Sequence, residues 1–438
     1  MLPKGNLSRR GFVQKSLAGL TMAGLPAWYA REVIAGQELA RARAKKKVGA
    51  NDKLVAGAIG VGGQGTGIMN GLKGHGAQIV AVCDVDRERR EKVAKEVGAE
   101  KVYADYRELL ARDDIDVVTI GTPDHWHTLV ALEAIRRGKD IYCEKPLTLT
   151  IDEGKVLVKE ARKHDTVFQV GSQQRSDARF RLACELVRNG RLGRIKRVET
   201  RIGDNPQGGP FKAEPAPEAL DWDFWLGQTP KVDYIKERAH YNFRWWQAYS
   251  GGKLTDWGAH HNDIAQWALG KDGSGPVSVE ATGDPEIHKA DCYDHPHNFK
   301  VTYRYAEGTE LVCTSEGENG VLFVGERGEL FVSRGRIAVD GQDLVRQVLE
   351  SPAREAATRL YESNDHMGNF VECVRSRRRP ICDVEVGHRS VTVCHLGNIA
   401  LRLRRPLKWD PEAEKFTGDD EANKHLSRAM RAPWKIEA

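Results

Sequence analysis

The run Leu54-Val55-Ala56-Gly57-Ala58-Ile59-Gly60-Val61-Gly62-Gly63-Gln64-Gly65 decides the fold. Its first six residues are small or apolar and read as a buried strand. The last six form a G-x-G-x-x-G turn that opens a helix. Glycine makes up 44 of the 438 residues, so the turn pattern alone carries little weight. Its surroundings strengthen it. A second strand, Gln78 to Cys83, ends at Asp84, which lies 24 residues beyond Gly60 and so near the spacing of about 20 at which an acid meets a ribose. In such a unit, glycines at 60, 62, 63 and 65 let the backbone turn tightly and approach a pyrophosphate at a helix N-terminus, beside Gln64. A carboxylate at Asp84 accepts hydrogen bonds from ribose hydroxyls and repels a 2′-phosphate. NAD is therefore expected over NADP, with Arg87 the nearby cation that argues the other way.

Working outward, strands and helices continue to alternate. A helix is expected over 87–97, a strand over 101–103, a helix over 105–112 and a buried strand over 117–120. The chain then runs through Gly121-Thr122-Pro123-Asp124-His125-Trp126-His127 into a helix over 128–137. The strand Asp140-Ile141-Tyr142-Cys143 ends in Glu144-Lys145-Pro146, and a last strand covers 167–171. Ligands of doubly wound sheets sit at the carboxyl ends of strands, where 121–127 and 144–146 fall. The rhythm stops after about 172. A helix over 177–189 and a strand over 195–202 lead into a Gly/Pro/aromatic stretch. Alternating strands follow at 277–282, 298–305, 309–315, 320–324, 328–333 and 335–339, then helices over 365–378 and 385–404. The expected class is α/β: a Rossmann doubly wound parallel sheet, then an α+β domain with an open, mostly antiparallel sheet. Boundaries are placed at 1–47, 48–172 and 173–438.

Three features of this part of the chain resemble the glucose–fructose oxidoreductase/inositol dehydrogenase (Gfo/Idh/MocA) family: the Gly-rich turn, the Thr-Pro-Asp-x-x-His loop and the Glu-Lys-Pro turn. The resemblance covers everything from residue 53 onward. It implies an NAD(P)-dependent oxidoreductase acting on the CH–OH group of a sugar, sugar derivative or polyol. It also implies that Lys145 lies beside the nicotinamide and the substrate hydroxyl, and that one face of the second sheet serves homo-oligomer contacts. Cofactor contacts are expected from Gly60, Gly62, Gly63, Gln64, Gly65, Asp84, Thr122, Pro123, His127 and Glu144.

The densest chemistry lies in Gly251-Gly252-Lys253-Leu254-Thr255-Asp256-Trp257-Gly258-Ala259-His260-His261-Asn262-Asp263. A helix starting near Thr255 sets Asp256 and His260 four apart on one face, so the carboxylate orients the imidazole and raises its pKa. The family pattern is similar, with such a pair facing the nicotinamide. Lys145, His260 and Asp256 are the expected catalytic residues. Lys145, Arg175, Tyr241, Trp257, His260 and His261 are the expected substrate contacts. Asp263 reads as a helix cap or substrate contact. Trp222, Phe224, Trp225, Tyr241, Phe243, Trp245 and Trp246 suit either a sugar platform or a core. Asp291, His295 and His297 lack further ligand spacing, so no metal is expected. Arg375, Arg377, Arg378 and Arg379 read as a solvated helix end, and the polar tail from Pro411 as an arm reaching a neighbouring subunit.

Composition excludes other classes. The net charge of +5 comes from the N-terminus: residues 1–47 hold ten Lys/Arg against two acids, leaving 57 basic and 60 acidic residues over 48–438. That remainder has no basic field for a phosphate backbone, so nucleic acid is not an expected partner. The eight cysteines contain no C-x-x-C pair. Ser8-Arg9-Arg10-Gly11-Phe12-Val13-Gln14-Lys15 resembles a twin-arginine (Tat) export motif and is followed by a short apolar region. This predicts a periplasmic or otherwise exported protein, with a cytoplasmic location or an uncleaved anchor as the alternatives. Away from the cytoplasmic cofactor pool, an NAD enzyme is expected to hold its cofactor tightly. Two other readings stand beside the dehydrogenase. One is a redox-neutral glycoside hydrolase or lyase working through a transient keto-sugar, whose family signature Gly-Gly-His-Gly is only echoed by Gly251-Gly252-Lys253. The other is a non-catalytic NAD-bound sensor.

Overall fold

The computed structural model describes residues 52–285, 289–340 and 358–436. The leader and most of the linker lie outside the described residues.

Six parallel strands form the first sheet: β1 (Val55–Ile59), β2 (Gln78–Cys83), β3 (Lys101–Tyr103), β4 (Val117–Ile120), β5 (Asp140–Cys143) and β6 (Phe168–Val170). Their order is β3-β2-β1-β4-β5-β6, which reverses between β1 and β4 and opens a crevice at that point. The crossovers are α1 (Gly63–Gly74), α2 (Arg87–Val97), α3 (Tyr106–Leu110), α4 (Asp124–Arg136) and α5 (Ile151–Lys163). Helices cover both faces, so Val117, Val118, Thr119 and Ile120 of β4 are all buried. The helix ends follow local chemistry. Asp86 caps α2 through Arg89 N, and Gly98 closes it at φ 72°. Thr150 caps α5, with acids in its first turn and Arg162 and Lys163 in its last. One helix starts earlier than its sequence suggests. Pro123, with φ −58°, begins α4 at Asp124 rather than 128, which brings Asp124 and His127 into the first turn.

The second half adds α6 (Ala178–Arg188), α7 (Trp222–Leu226), α8 (Gly252–Asp256), α9 (Gly258–Leu269), α10 (His366–Ser376), α11 (Val384–Leu403) and α12 (Asp420–Asn423). Its nine strands are β7 (Ile195–Arg201), β8 (Ser278–Gly283), β9 (Phe299–Arg304), β10 (Glu310–Thr314), β11 (Gly320–Gly325), β12 (Glu329–Val332), β13 (Ile337–Asp340), β14 (Leu407–Asp410) and β15 (Lys415–Phe416). They run in the order β13-β12-β11-β7-β10-β9-β8-β14-β15, antiparallel except for the β7–β10 pair. Alternation sends Phe299, Val301 and Tyr303 inward against α11. The outer face carries charged pairs such as Arg304 with Glu280 and Glu310.

Helix α11 ties the halves together. Val384 and Val391 join the core beneath the first sheet, whereas Val393, Leu396 and Ala400 join the core of the second. The tail packs on its own chain: Phe416 meets Trp409, and Trp434 stacks on Phe224 and meets the Trp126 ring edge-on. Arg377 does not belong to a merely solvated run, because it pairs with buried Asp140 at 2.5 Å. All eight cysteines are buried free thiols. Among the described residues, no helix is long and apolar enough to cross a membrane.

Candidate active site

A single cleft of about 1010 Å³ runs from the glycine turn after β1 to the α8–α9 junction. At its first end Gly60 holds φ +73°, and a Cβ there would lie 2.6 Å from Thr122 N. A Cβ on Gly65 would lie 1.8 Å from Gly60 O, so α1 packs directly on the turn. Gly63 is different, because a Cβ there would meet nothing within 4 Å. Helix α1 has no side-chain cap. Open space over Gly63 before an uncapped helix N-terminus fits a pyrophosphate. Asp84 accepts from Val61 N at 2.8 Å through one carboxylate oxygen and from Asp86 N at 2.9 Å through the other, which fixes its plane at the adenosine side. Burial pushes its carboxyl above the ordinary range, opposed by those two N–H groups. These residues fit NAD.

The cation near this turn was misidentified from the sequence. Arg87 faces exposed Glu218 at 3.7 Å. Arg89 lines the cleft instead: it pairs with Asp86 at 3.3 Å, and its Nη1 lies 3.1 Å from where a Gly62 Cβ would be. Helical spacing from the Asp86 cap is the signal that would have found it. A strap covers the same side. Asp221 N donates to Val85 O, Arg87 N donates to Ala219 O, and Leu220 bridges Asp86. Trp126 Nε1 donates to Trp225 O, and Arg431 from the tail binds Asp223 and Gly227 O.

Of the expected cofactor contacts, Gly60, Gly62, Gly63, Gln64, Asp84, Thr122, Pro123 and Glu144 line the cleft. Gly65 and His127 sit behind it. His127 is buried between Thr122 O (2.9 Å) and Pro146 O (2.7 Å), so it ties the two strand-end loops together. Glu144 accepts from Gln64 Nε2 at 2.8 Å and from Gln173 Nε2 at 3.2 Å.

At the other end, Lys145, Asp256, Trp257, His260 and Tyr241 all line the cleft. Lys145 Nζ donates to Asp256 Oδ1 at 2.6 Å. The anticipated Asp256–His260 pair does not form. Trp257 separates α8 from α9 while keeping right-handed helical backbone, and Asp256 turns its carboxylate to Lys145, with Arg244 Nε at 3.8 Å. His260 is buried, and its Nδ1 has no hydrogen-bond partner. Burial first, then the charges of Lys145 and Arg334, hold its pKa well below the ordinary value rather than raising it. Burial alone would raise the Asp256 carboxyl, but Lys145 and Arg244 outweigh it and hold the group below the carboxylate range.

Two expected substrate contacts are excluded from the cleft. Arg175 is 1% exposed and binds Asp263 (2.8 Å) and Asp272 (2.7 Å). Asp263 is therefore an ion partner of Arg175, also bonded to Ser390 Oγ. His261 is fully buried and bonded to Asn319 Oδ1 at 3.0 Å. Of the aromatic run, Trp225, Trp245 and Trp246 belong to a buried cluster, whereas Tyr241 is 68% exposed at the cleft. Asp291 pairs with Arg238, and His297 faces Asn205 O, so the two do not converge. Sequence reasoning missed Asp124, a buried cleft carboxyl that accepts a hydrogen bond from Ser250 Oγ. Burial pushes its pKa up to about 7. Arg244 and Arg334 were missed too, since neither lies in a motif.

Residues 54–172 match the family model described as oxidoreductase family, NAD-binding Rossmann fold, and residues 208–436 match that described as oxidoreductase family, C-terminal alpha/beta domain. The chain is 26% identical over 371 residues to a myo-inositol 2-dehydrogenase of Thermotoga maritima, covering 81% of this chain and 98% of the relative. It is 36% identical over 159 residues to a glycosyl hydrolase family 109 protein of Shewanella sp., covering 33% of this chain and 35% of that one. A solved WlbA dehydrogenase from Bordetella pertussis, in complex with NADH and UDP-GlcNAcA, shares the fold with a TM-score of 0.61 at 18% identity, covering 82% of this chain and 99% of that one.

Proposed function

This chain belongs to the Gfo/Idh/MocA oxidoreductase family and is an NAD-binding oxidoreductase; from that premise we propose that it oxidises a secondary hydroxyl of a sugar, sugar derivative or polyol. The observation that carries this reading is the one cleft in which the glycine turn and Lys145, Asp256 and His260 all take part. NAD, when bound, supplies the hydride acceptor. His260, held neutral by burial at the cleft wall, takes the hydroxyl proton. Lys145, oriented by Asp256, donates a hydrogen bond to the substrate oxygen as charge develops there. The inositol 2-dehydrogenase relative, matched over nearly its full length, supports a polyol or sugar substrate.

The reading extends to the cellular setting. The twin-arginine leader exports the folded protein with NAD already bound, and the strap over the adenosine side retains it. Residues 48–172 serve as the cofactor domain and 173–438 as the substrate domain, and the second sheet mediates homo-oligomer contacts. The test is to purify the protein without added cofactor, denature it, and identify the released nucleotide by mass spectrometry. Near-stoichiometric NAD(H) is expected; an empty protein that binds NAD weakly overturns retention, and NADP(H) overturns the role of Asp84.

A second reading has its own support. The 36% match to a glycosyl hydrolase family 109 protein, and a cleft carboxyl at Asp124 near pKa 7, suit redox-neutral cleavage of a glycoside through a transient ketone. Release of an aglycone without net change in bound NADH would select it over the dehydrogenase.

A further inference from the structure

The substrate end of the cleft carries more positive charge than its neighbours neutralise. Lys145 is matched by Asp256. Arg244 reaches the same carboxylate only at 3.8 Å, and its guanidinium lies 4.0 Å from the Tyr241 ring centroid. Arg334, on the turn between β12 and β13, lies 4.5 Å from the Trp257 ring centroid and makes no ion pair among the described residues. Its surroundings partly desolvate it, which lowers its pKa. A guanidinium lying over an indole at the cleft wall without a counter-ion is an incomplete anion site. Asp124 is bonded to Ser250, and burial pushes its carboxyl up to about 7. Lys145, Arg244 and Arg334 therefore share Asp256 as a common counter-charge.

We infer that the substrate carries an anionic oxygen group, a carboxylate or a phosphate, held by Arg334 and Arg244 beside Tyr241 and Trp257. The inference rests on the sugar-oxidising reading above and narrows its substrate class. Planar guanidinium groups suit such oxygens because two parallel N–H donors match two acceptors, whereas a neutral hydroxyl uses one.

Calorimetric titration of the NADH-loaded protein with glucose, glucuronate and glucose 6-phosphate tests it. One or both acids should bind about ten- to a hundredfold more tightly than glucose, and which one does so identifies the anion. R334Q and R244Q should each cut that preference by about tenfold, and R334K, which keeps the charge but loses the paired donors, by a smaller factor. Equal affinities, no binding of either acid, or a preference indifferent to both glutamine variants would overturn the inference. Monitoring NADH fluorescence when the same sugars meet the NAD-loaded protein separates this from the parent reading. Acids that bind without any reduction of NAD leave the anion site standing and sink the oxidation. Oxidation of neutral and acidic sugars alike does the reverse.

Discussion

Lys145 Nζ lies 2.6 Å from Asp256 Oδ1, an ion pair that joins the carboxyl end of β5 to the last residue of α8 across 111 residues of chain. It fixes the ammonium at the cleft wall and leaves His260 without the carboxylate its sequence spacing had offered.

Removing that carboxylate by D256N should lower kcat by about a hundredfold, the scale of one lost positioned electrostatic contact, with bound NAD unchanged. The linkage sign is that of a depressed carboxyl. The stability Asp256 contributes is fully present above the unfolded-state pKa and is lost as pH falls through the folded value. Denaturation curves for D256N should therefore lose part of the wild-type decline on acidification; an unchanged acid limb would contradict the assignment.

Asp124 has the opposite sign. Its carboxyl is raised to about 7, so the native state holds a proton there that the unfolded chain releases at about pH 4. Ionised Asp124 thus costs stability increasingly as pH rises from about 4 towards 7, by up to about 4 kcal/mol. D124N should raise Tm relative to wild type at pH 8 and much less at pH 5. The Tm difference measured at the two pH values decides it.

Arg175 separates a structural role from a substrate role. Truncation leaves Asp263, fully buried, without its partner. R175A should cost about 3–5 kcal/mol in urea unfolding, the usual penalty for breaking a buried pair. KM of the remaining folded protein should stay near wild type, whereas a KM rise at undiminished stability would restore Arg175 to the substrate.

The glycine turn offers a paired test. G65A drives a methyl into Gly60 O and should abolish NAD retention together with local packing, lowering Tm. G63A meets open space in the protein and should leave Tm of the apoprotein unchanged, yet weaken NAD about tenfold or more by occupying the phosphate approach. Apoprotein melting and NAD titration read the two effects separately.

The first sheet was legible because its signals are local. A buried strand, a glycine turn and a helix follow one another within 20 residues, and the Val117–Ile120 run is apolar on both faces since both faces are covered. Seven of the nine strands of the second sheet followed from alternation, as in Phe299–Arg304, whereas the short β14 and β15 did not. The Gly60–Gln64 turn, Asp84, Thr122, Pro123, Glu144 and Lys145 were readable for the same reason: each sits at a strand end, and the topology of a doubly wound sheet sends strand ends to one edge.

Partnerships between distant charges were not legible. Asp256 could turn to His260 or to Lys145, and the sequence favoured the near neighbour. The approach of the Lys145 turn after β5 selected the distant one. Arg175 follows the last strand of the first sheet and so looked available to a substrate, until α9 placed Asp263 against it. Arg334 reaches the cleft from a turn 189 residues beyond Lys145. By itself, then, the sequence determined the parallel sheet, its cofactor turn and the lysine at its edge, because those depend on short-range periodicity and on glycine's conformational range. Only the tertiary structure decided which charge faces which, because at these separations burial and distance set electrostatic pairing, and both belong to the packed chain.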